Sequence, residues 1–174
     1  MKLYSYWRST TSYRVRAALN LKSIAYELVP VDLVAGDQRG DDYRVLNPNA
    51  GVPTLVLDDG TVLTQSMAIL DYLDATWPTP RLIPQDPQER AKAMAAAQTV
   101  ACDIHPVNNL RVIAELKSRF GATPDQTREW MCHWIGEGFT SLERQLASDT
   151  AFSFGPTPGI ADLCITAQIY NARR

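Results

Sequence analysis

The stretch TWPTPRLIPQDP, residues 76–87, separates two parts of this chain that have different periodicities. Three prolines lie between Pro78 and Pro84, and another follows at Pro87. Proline has no backbone N–H and a fixed φ, so such a run continues neither a helix nor a central strand. Upstream, short β-like runs alternate with amphipathic segments; downstream, only helical spacing recurs. A chain of 174 residues has room for one full core or two small ones. The proline run places the division, with one domain over 1–80 and a second over 81–174.

In the first part, residues 2–6 read as a strand and 12–21 as a helix, because Val15, Ala18 and Leu19 recur at three-to-four spacing. Residues 25–31 are β-like, and 38–46 form a polar, weakly helical link ending at Asn47-Pro48. Strands are predicted at 54–57 and 61–63 around Asp59-Gly60, a hairpin signal because these residues tolerate the positive φ of tight turns. A helix follows at 66–76, with Ala68, Ile69, Tyr72 and Leu73 on one face. The order βαβαββα predicts a mixed-sheet α/β domain. In the second part, 89–120 is Ala-rich and helical with an interruption at Pro106, and 125–146 and 160–170 are two further helices. No strand is predicted there.

The formal net charge is −2 and no polybasic run occurs. That excludes the electrostatic footprint of a nucleic-acid or membrane-surface binder and leaves small molecules or other proteins as partners. The opening MKLYSYW has no apolar stretch of signal-peptide length, and nothing later approaches a membrane span. A cytoplasmic protein is expected. Cys102, Cys132 and Cys164 are an odd number with no CxxC, each in apolar helical surroundings, and read as buried reduced thiols. With only His105 and His133 available, no metal site is expected.

At WRSTTSYRVR, residues 7–16, four hydroxyls (Ser9, Thr10, Thr11 and Ser12) lie between Arg8 and Arg14, where the first strand gives way to the first helix. A helix start leaves N–H groups unpaired and carries partial positive charge. Two readings stand side by side: the hydroxyls cap the helix, for which one suffices, or they hold an anion such as a phosphate or thiolate. A second exposed helix start occurs at Gln65-Ser66, after the hairpin that VPTL opens at residues 52–55.

Together with the strand order, these pieces resemble the glutathione transferase superfamily, in which a thioredoxin-like N-terminal domain precedes an all-α C-terminal domain. Where redox members of that fold open the first helix with CxxC, hydroxyls stand here. The closer resemblance is to the zeta class, which includes maleylacetoacetate and maleylpyruvate isomerases. It is carried by STTSYRVR from Ser9, LNPNAGVPTL from Leu46, QSMAILDYL from Gln65, CDIHPVNNLR from Cys102 and ADLC from Ala161.

The resemblance implies glutathione as cofactor. It implies that Ser9, Thr10 and Thr11 surround the sulfur, with Ser9 stabilising the thiolate and Thr11 standing where several members carry cysteine. Val52-Pro53 is implied to be a cis peptide, with Val52 pairing its backbone to the cysteinyl part. Gln65 and Ser66 are implied to take the γ-glutamyl carboxylate and Gln38 the glycyl end. His105 and Asn109 are further implied glutathione contacts, and Asp103 reaches the glutathione of a second subunit in a homodimer. Arg8, Arg111 and Arg174 are implied to hold a dianionic small-molecule substrate, Arg8 at the reacting centre. Arg14 and Arg16, inside the first helix, read as structural.

The implied reaction is cis–trans isomerisation of a maleyl keto acid in aromatic amino acid breakdown, maleylacetoacetate to fumarylacetoacetate first, with glutathione regenerated. Alternatives are a maleylpyruvate isomerase, a general transferase conjugating electrophiles, and a non-catalytic transferase-like binding protein. Two departures accompany the resemblance. Gly159-Ile160-Ala161-Asp162 keeps an aspartate but has glycine where relatives cap a helix with Ser or Thr, a change costing only a few tenths of a kcal/mol. Relatives also continue past the position of Arg174, which implies a helical domain truncated at its C-terminal end.

Overall fold

A computed structural model describes residues 1–146 and 149–174. They divide into two compact units, Met1–Ile83 and Pro84–Arg174.

The first unit is built on four strands, β1 (Lys2–Ser5), β2 (Glu27–Pro30), β3 (Thr54–Val56) and β4 (Val62–Thr64), in the order β2-β1-β3-β4. β1 and β2 pair in parallel through the crossover helix α1 (Thr10–Leu21), whereas β3 runs antiparallel to both β1 and β4. Leu3 faces Leu55 across the two central strands, and both are fully buried. A 3₁₀ turn at Asp37–Arg39 and the short α2 (Asp41–Leu46) form the link before β3, and α3 (Ser66–Thr76) closes the unit. α1 packs on α3, and Val15, Ala18 and Leu19 of the one and Ile69, Leu70 and Leu73 of the other are fully buried. Each large apolar side chain buried here contributes about 1.5–3 kcal/mol. The buried face of α3 is turned from the expected one: Ala68 is exposed, and Leu70 and Asp74 lie inside. The larger leucine gains more from burial than the alanine.

Asp74 owes its place to a buried cation. Lys22, just past the end of α1, donates to Asp74 Oδ1 at 2.9 Å and to the carbonyls of Trp77 and Pro80 at 2.6 and 2.7 Å, which uses all three ammonium protons. Asp74 also accepts the backbone N–H groups of Leu82 and Ile83, and Arg81 lies 3.6 Å from it. The pair's side chains are 0% and 3% exposed. It joins the ends of α1 and α3 to the proline-rich segment, in which Thr79–Pro80 is cis.

The second unit consists of α4 (Pro87–Gln98), α5 (Leu110–Phe120), α6 (Pro124–Glu143) and α7 (Ile160–Ala172). Asp86 caps α4 by accepting from the N–H groups of Gln88 and Glu89, with Pro87 at the first helical position, where no donor is lost. Ala93, Ala96 and Ala97 let α4 lie against α7, which buries Ile160, Leu163, Cys164 and Ala167. At the start of α7, Asp162 accepts from Gly159 N–H and from both the N–H and the hydroxyl of Ser153. The carboxylate supplies the half of a capping box that reaches back to the cap residue, while the half a hydroxyl at position 159 would supply to the first-turn N–H groups has no side-chain bond here. An isolated bridge joins Phe152 to Gly155.

Two expectations for this unit need correction. The Pro106 interruption is not a single bend: a π-helical stretch at Thr99–Ile104 precedes a 3₁₀ turn at Pro106–Asn108, and the helix restarts at Leu110. The proline ring collides with the carbonyl four residues back, and the wider turn avoids it. Cys102 and Cys132 are exposed; of the three thiols only Cys164 is buried. On α6 the inward stripe runs Thr127, Trp130, Trp134, Gly138, Leu142, and Cys132 falls outside it. Gly138 is part of that stripe because a Cβ there would collide with the Ile104 side chain.

Candidate functional site

α1 begins at Thr10 with Ser9 as its cap, so the hydroxyl run occupies the cap and the first turn. Ser9 Oγ accepts from Ser12 N–H at 3.1 Å and lies 2.8 Å from Thr11 Oγ1, which in turn donates to the Val52 carbonyl at 2.8 Å. A hydroxyl has one proton. Since Thr11's proton goes to Val52, Ser9 supplies the proton of the Ser9–Thr11 bond. The result is a wired chain, Ser12 N–H to Ser9 to Thr11 to Val52 C=O. Thr10 is buried beside it.

The loop leading into this start is held from below by Arg16. Its guanidinium donates to Ser5 Oγ at 2.7 Å and to the carbonyls of Tyr6 and Trp7 at 3.2 Å each. Burial pulls the Arg16 pKa below its ordinary value, with Tyr26 and Tyr13 opposing that shift. Arg8 is exposed, its guanidinium 5.5 Å from the Trp7 ring centroid.

Sheet order brings the second component to the first: β3 lies beside β1, so the residues entering β3 face those leaving β1. The Val52–Pro53 peptide is cis. Its approach is fixed by a buried polar cluster. Tyr43 donates to the Gly51 carbonyl at 2.6 Å and lies 2.9 Å from Thr54 Oγ1, and Asn47 Nδ2 donates to the Gly51 carbonyl at 2.8 Å and to Thr54 Oγ1 at 3.0 Å. Burial raises the Tyr43 pKa above its usual value, while its hydrogen bonds with Thr54 and Asn47 oppose the rise.

The third component is the start of α3. Gln65 is a non-glycine residue at φ 67°, ψ 117°, pinned between β4 and α3. Such a backbone costs on the order of 1–3 kcal/mol, and such strain clusters at functional sites. Gln65 makes no side-chain capping bond, so the first N–H groups of α3 are not capped from within. Ser66 is buried, and its hydroxyl accepts from Arg14 Nη1 at 3.1 Å. Gln38 is also buried, and among the described residues its Oε1 has no hydrogen-bond partner.

In the helical unit, Asp103 is exposed on the π-helical stretch. Asn109 Nδ2 lies 3.4 Å from His105 Nε2, and Asn109 Oδ1 caps α5 by accepting from Arg111 N–H at 3.2 Å. The four-residue spacing does bring His105 and Asn109 together, though through a 3₁₀ turn and a cap rather than an α-helical turn. Arg111 borders an apolar groove of about 500 Å³ lined by Val112, Leu116, Phe120 and Trp130, with Glu115. Arg174 interacts within its own terminus, with Asn171 Oδ1 at 2.8 Å and the Tyr170 ring at 4.9 Å. Among the described residues no group of three or more His, Cys, Asp or Glu side chains could hold a metal ion, and no helix is long and apolar enough to cross a membrane.

Within the first unit the structure thus joins Ser9, Thr11 and Val52 in one hydrogen-bonded chain. It also reveals functional supports that sequence reasoning missed: Arg14, read only as structural, reaches Ser66, and Tyr43 and Asn47 shape the Val52 turn. No signal in the sequence marks the last two, which lie within and just past the polar link of residues 38–46.

Residues 8–76 match the family model described as "Glutathione S-transferase, N-terminal domain". Over 176 residues the chain is 44% identical to a maleylacetoacetate isomerase of Pseudomonas aeruginosa, covering 100% of this chain and 82% of that protein. A holo structure of a maleylpyruvate isomerase, described as a bacterial glutathione S-transferase in the zeta class, has a TM-score of 0.96 at 43% identity, covering 100% of this chain and 83% of that one. A maleylacetoacetate isomerase from Methylobacterium extorquens AM1 with bound malonate and glutathione has a TM-score of 0.94 at 42% identity, covering 99% of this chain and 82% of that one. The chain belongs to the zeta-class glutathione S-transferase family, alongside the maleylacetoacetate and maleylpyruvate isomerases.

Proposed function

We propose that this protein is a glutathione-dependent cis–trans isomerase of a maleyl keto acid, with maleylacetoacetate as substrate and fumarylacetoacetate as product. The observation that carries the reading is the hydroxyl chain from Ser9 through Thr11 to Val52 at the start of α1. The residues fit glutathione: a helix start with hydroxyls for a thiolate, a backbone edge at Val52, and a second helix start rich in donors at Gln65-Ser66. When bound, glutathione supplies a thiolate that adds reversibly to a conjugated double bond and so permits its rotation.

The protein's own groups then divide the work. Ser9 turns its proton from Thr11 to the sulfur and holds the anion, and Thr10 and Thr11 wall the same point. Val52 and Pro53 seat the peptide backbone, Gln65 and Ser66 take the γ-glutamyl carboxylate, and Gln38 takes the glycyl end. Arg8 stabilises charge on the substrate carbonyl and carboxylate, for which a guanidinium fork is suited. Asp103, His105 and Asn109 of the helical unit serve glutathione, Arg111 and Arg174 serve the substrate, and Asp103 acts toward a second subunit of a homodimer. The first unit is the glutathione-binding domain and the second the substrate-binding domain of a cytoplasmic enzyme of aromatic amino acid catabolism. The relative with bound malonate and glutathione supports a dianionic substrate.

A second reading, maleylpyruvate as substrate, is favoured by the maleylpyruvate isomerase with the TM-score of 0.96. The test is absorbance-monitored turnover of both compounds, with and without glutathione, by this chain and by Ser9→Ala. Glutathione-dependent turnover of maleylacetoacetate, weakened in the variant, is the expected result. Preference for maleylpyruvate selects the second reading. Glutathione binding without turnover of either compound replaces both with a conjugating transferase or a non-catalytic binding protein.

A further inference from the structure

We infer that Arg14 is a positioning residue for the γ-glutamyl carboxylate, acting through the Ser66 hydroxyl; this rests on the glutathione reading above. Arg14 lies in the second turn of α1, is 1% exposed, and sends Nη1 to Ser66 Oγ at 3.1 Å. A guanidinium has donors and no acceptor, and it keeps its charge when buried. In this pair Ser66 must therefore accept, which leaves its single proton directed elsewhere. Among the described residues Ser66 Oγ makes no other side-chain hydrogen bond.

At the start of α3 the donors accumulate: the polarised Ser66 hydroxyl, its N–H, and the neighbouring N–H groups that Gln65 leaves uncapped. A site made only of donors selects a group that only accepts, and of the two charged groups on a γ-glutamyl end that is the carboxylate, not the ammonium. Arg14 thus sets the direction of the Ser66 proton before the ligand arrives and strengthens the bond through its charge.

The test is calorimetric binding of two ligands, glutathione and γ-aminobutyryl-cysteinyl-glycine, which keeps the amine and the thiol but lacks that carboxylate. Arg14→Met is expected to weaken glutathione about tenfold or more, the scale of one hydrogen bond to a charged group, and to leave the analogue's affinity within about twofold. In a Ser66→Ala background the same change is expected to add little, since the two residues act in series. Arg14→Lys keeps the charge without the fork and is expected to fall between, and it carries the test if the methionine variant does not fold. Equal losses for both ligands, or an undiminished loss in the Ser66→Ala background, overturn the inference and make Arg14 a packing residue. A native chain that binds both ligands equally overturns the carboxylate role alone; one that binds neither overturns the glutathione reading as well.

Discussion

The starts of α1 and α3 are made from the same parts, a helix N-terminus and a serine, yet they are wired in opposite senses. Ser9 stands at the cap, accepts from a backbone N–H of its own helix and gives its proton to Thr11. Ser66 stands one position inside its helix and accepts from a guanidinium of another helix, a bond that does not use its own proton. The first hydroxyl must switch partners to serve an anion, whereas the second is already set. A thiolate that must both form and leave is suited by a donor with an alternative partner; a carboxylate that only anchors is suited by a fixed one.

The change expected to break the comparison most severely removes the support common to both helices. Asp74→Ala leaves the Lys22 ammonium buried without its anion, and losing one member of a buried pair costs about 3–5 kcal/mol. A large drop in denaturant midpoint is expected, with glutathione binding lost at both starts; a change under about 1 kcal/mol would show that the pair does not hold them. Next in size is the contrast between the serines. Ser66→Ala is expected to raise the glutathione dissociation constant about tenfold and leave the pKa of the bound thiol in place. Ser9→Ala is expected to raise that pKa by about one unit, equivalent to about 1.4 kcal/mol, with little change in affinity. Thiolate absorbance against pH, measured beside calorimetry, separates the two, and the comparison is wrong if both variants move the same quantity.

A smaller effect is expected at Gln65. Glycine accepts φ 67° without the strain a side chain meets there, though it surrenders about 0.5–1 kcal/mol of chain entropy. Gln65→Gly is therefore expected to unfold at equal or slightly higher denaturant while binding glutathione more weakly. Lower stability together with unchanged binding would mean that the strained backbone serves the fold and not the ligand.

The periodic parts of this fold were legible in the residues. Val15, Ala18 and Leu19 announce the inner face of α1 by spacing, and Asp59-Gly60 announces its hairpin. What spacing could not reveal are contacts between polar groups far apart in sequence. Lys22 meeting Asp74 and Arg14 meeting Ser66 are each 52 residues apart, and a charged residue within a helix pattern reads as solvated until the packing is known. Ala68, Cys102 and Cys132 show the reverse error, because small or apolar type alone does not say which side of a helix faces inward. The hydroxyl run was legible as a helix start; the route of its protons, through Thr11 to Val52, depends on β3 lying beside β1.

The smallest expected effect sharpens the comparison from the side of the Val52 turn, which the α1 start reaches through Thr11. Tyr43 holds the Gly51 carbonyl through its hydroxyl proton, and burial raises its pKa above the usual value of about 10. A group whose folded pKa is raised contributes stability that is complete below the unfolded pKa and is lost as pH rises through the folded one. The turn is therefore expected to hold at neutral pH and to weaken only above about pH 10, when the phenolate can no longer donate to Gly51. Tyr43→Phe removes that donor at every pH, so it is expected to lower stability by about 1 kcal/mol near neutrality and to erase this residue's share of the alkaline decline. Denaturant midpoints of both proteins, followed from pH 7 upward, are expected to converge in the alkaline range. Curves that stay parallel throughout would mean that Tyr43 does not hold the turn by its proton, and the Asn47 bond to Gly51 and the Thr11 bond to Val52 would then be its side-chain anchors.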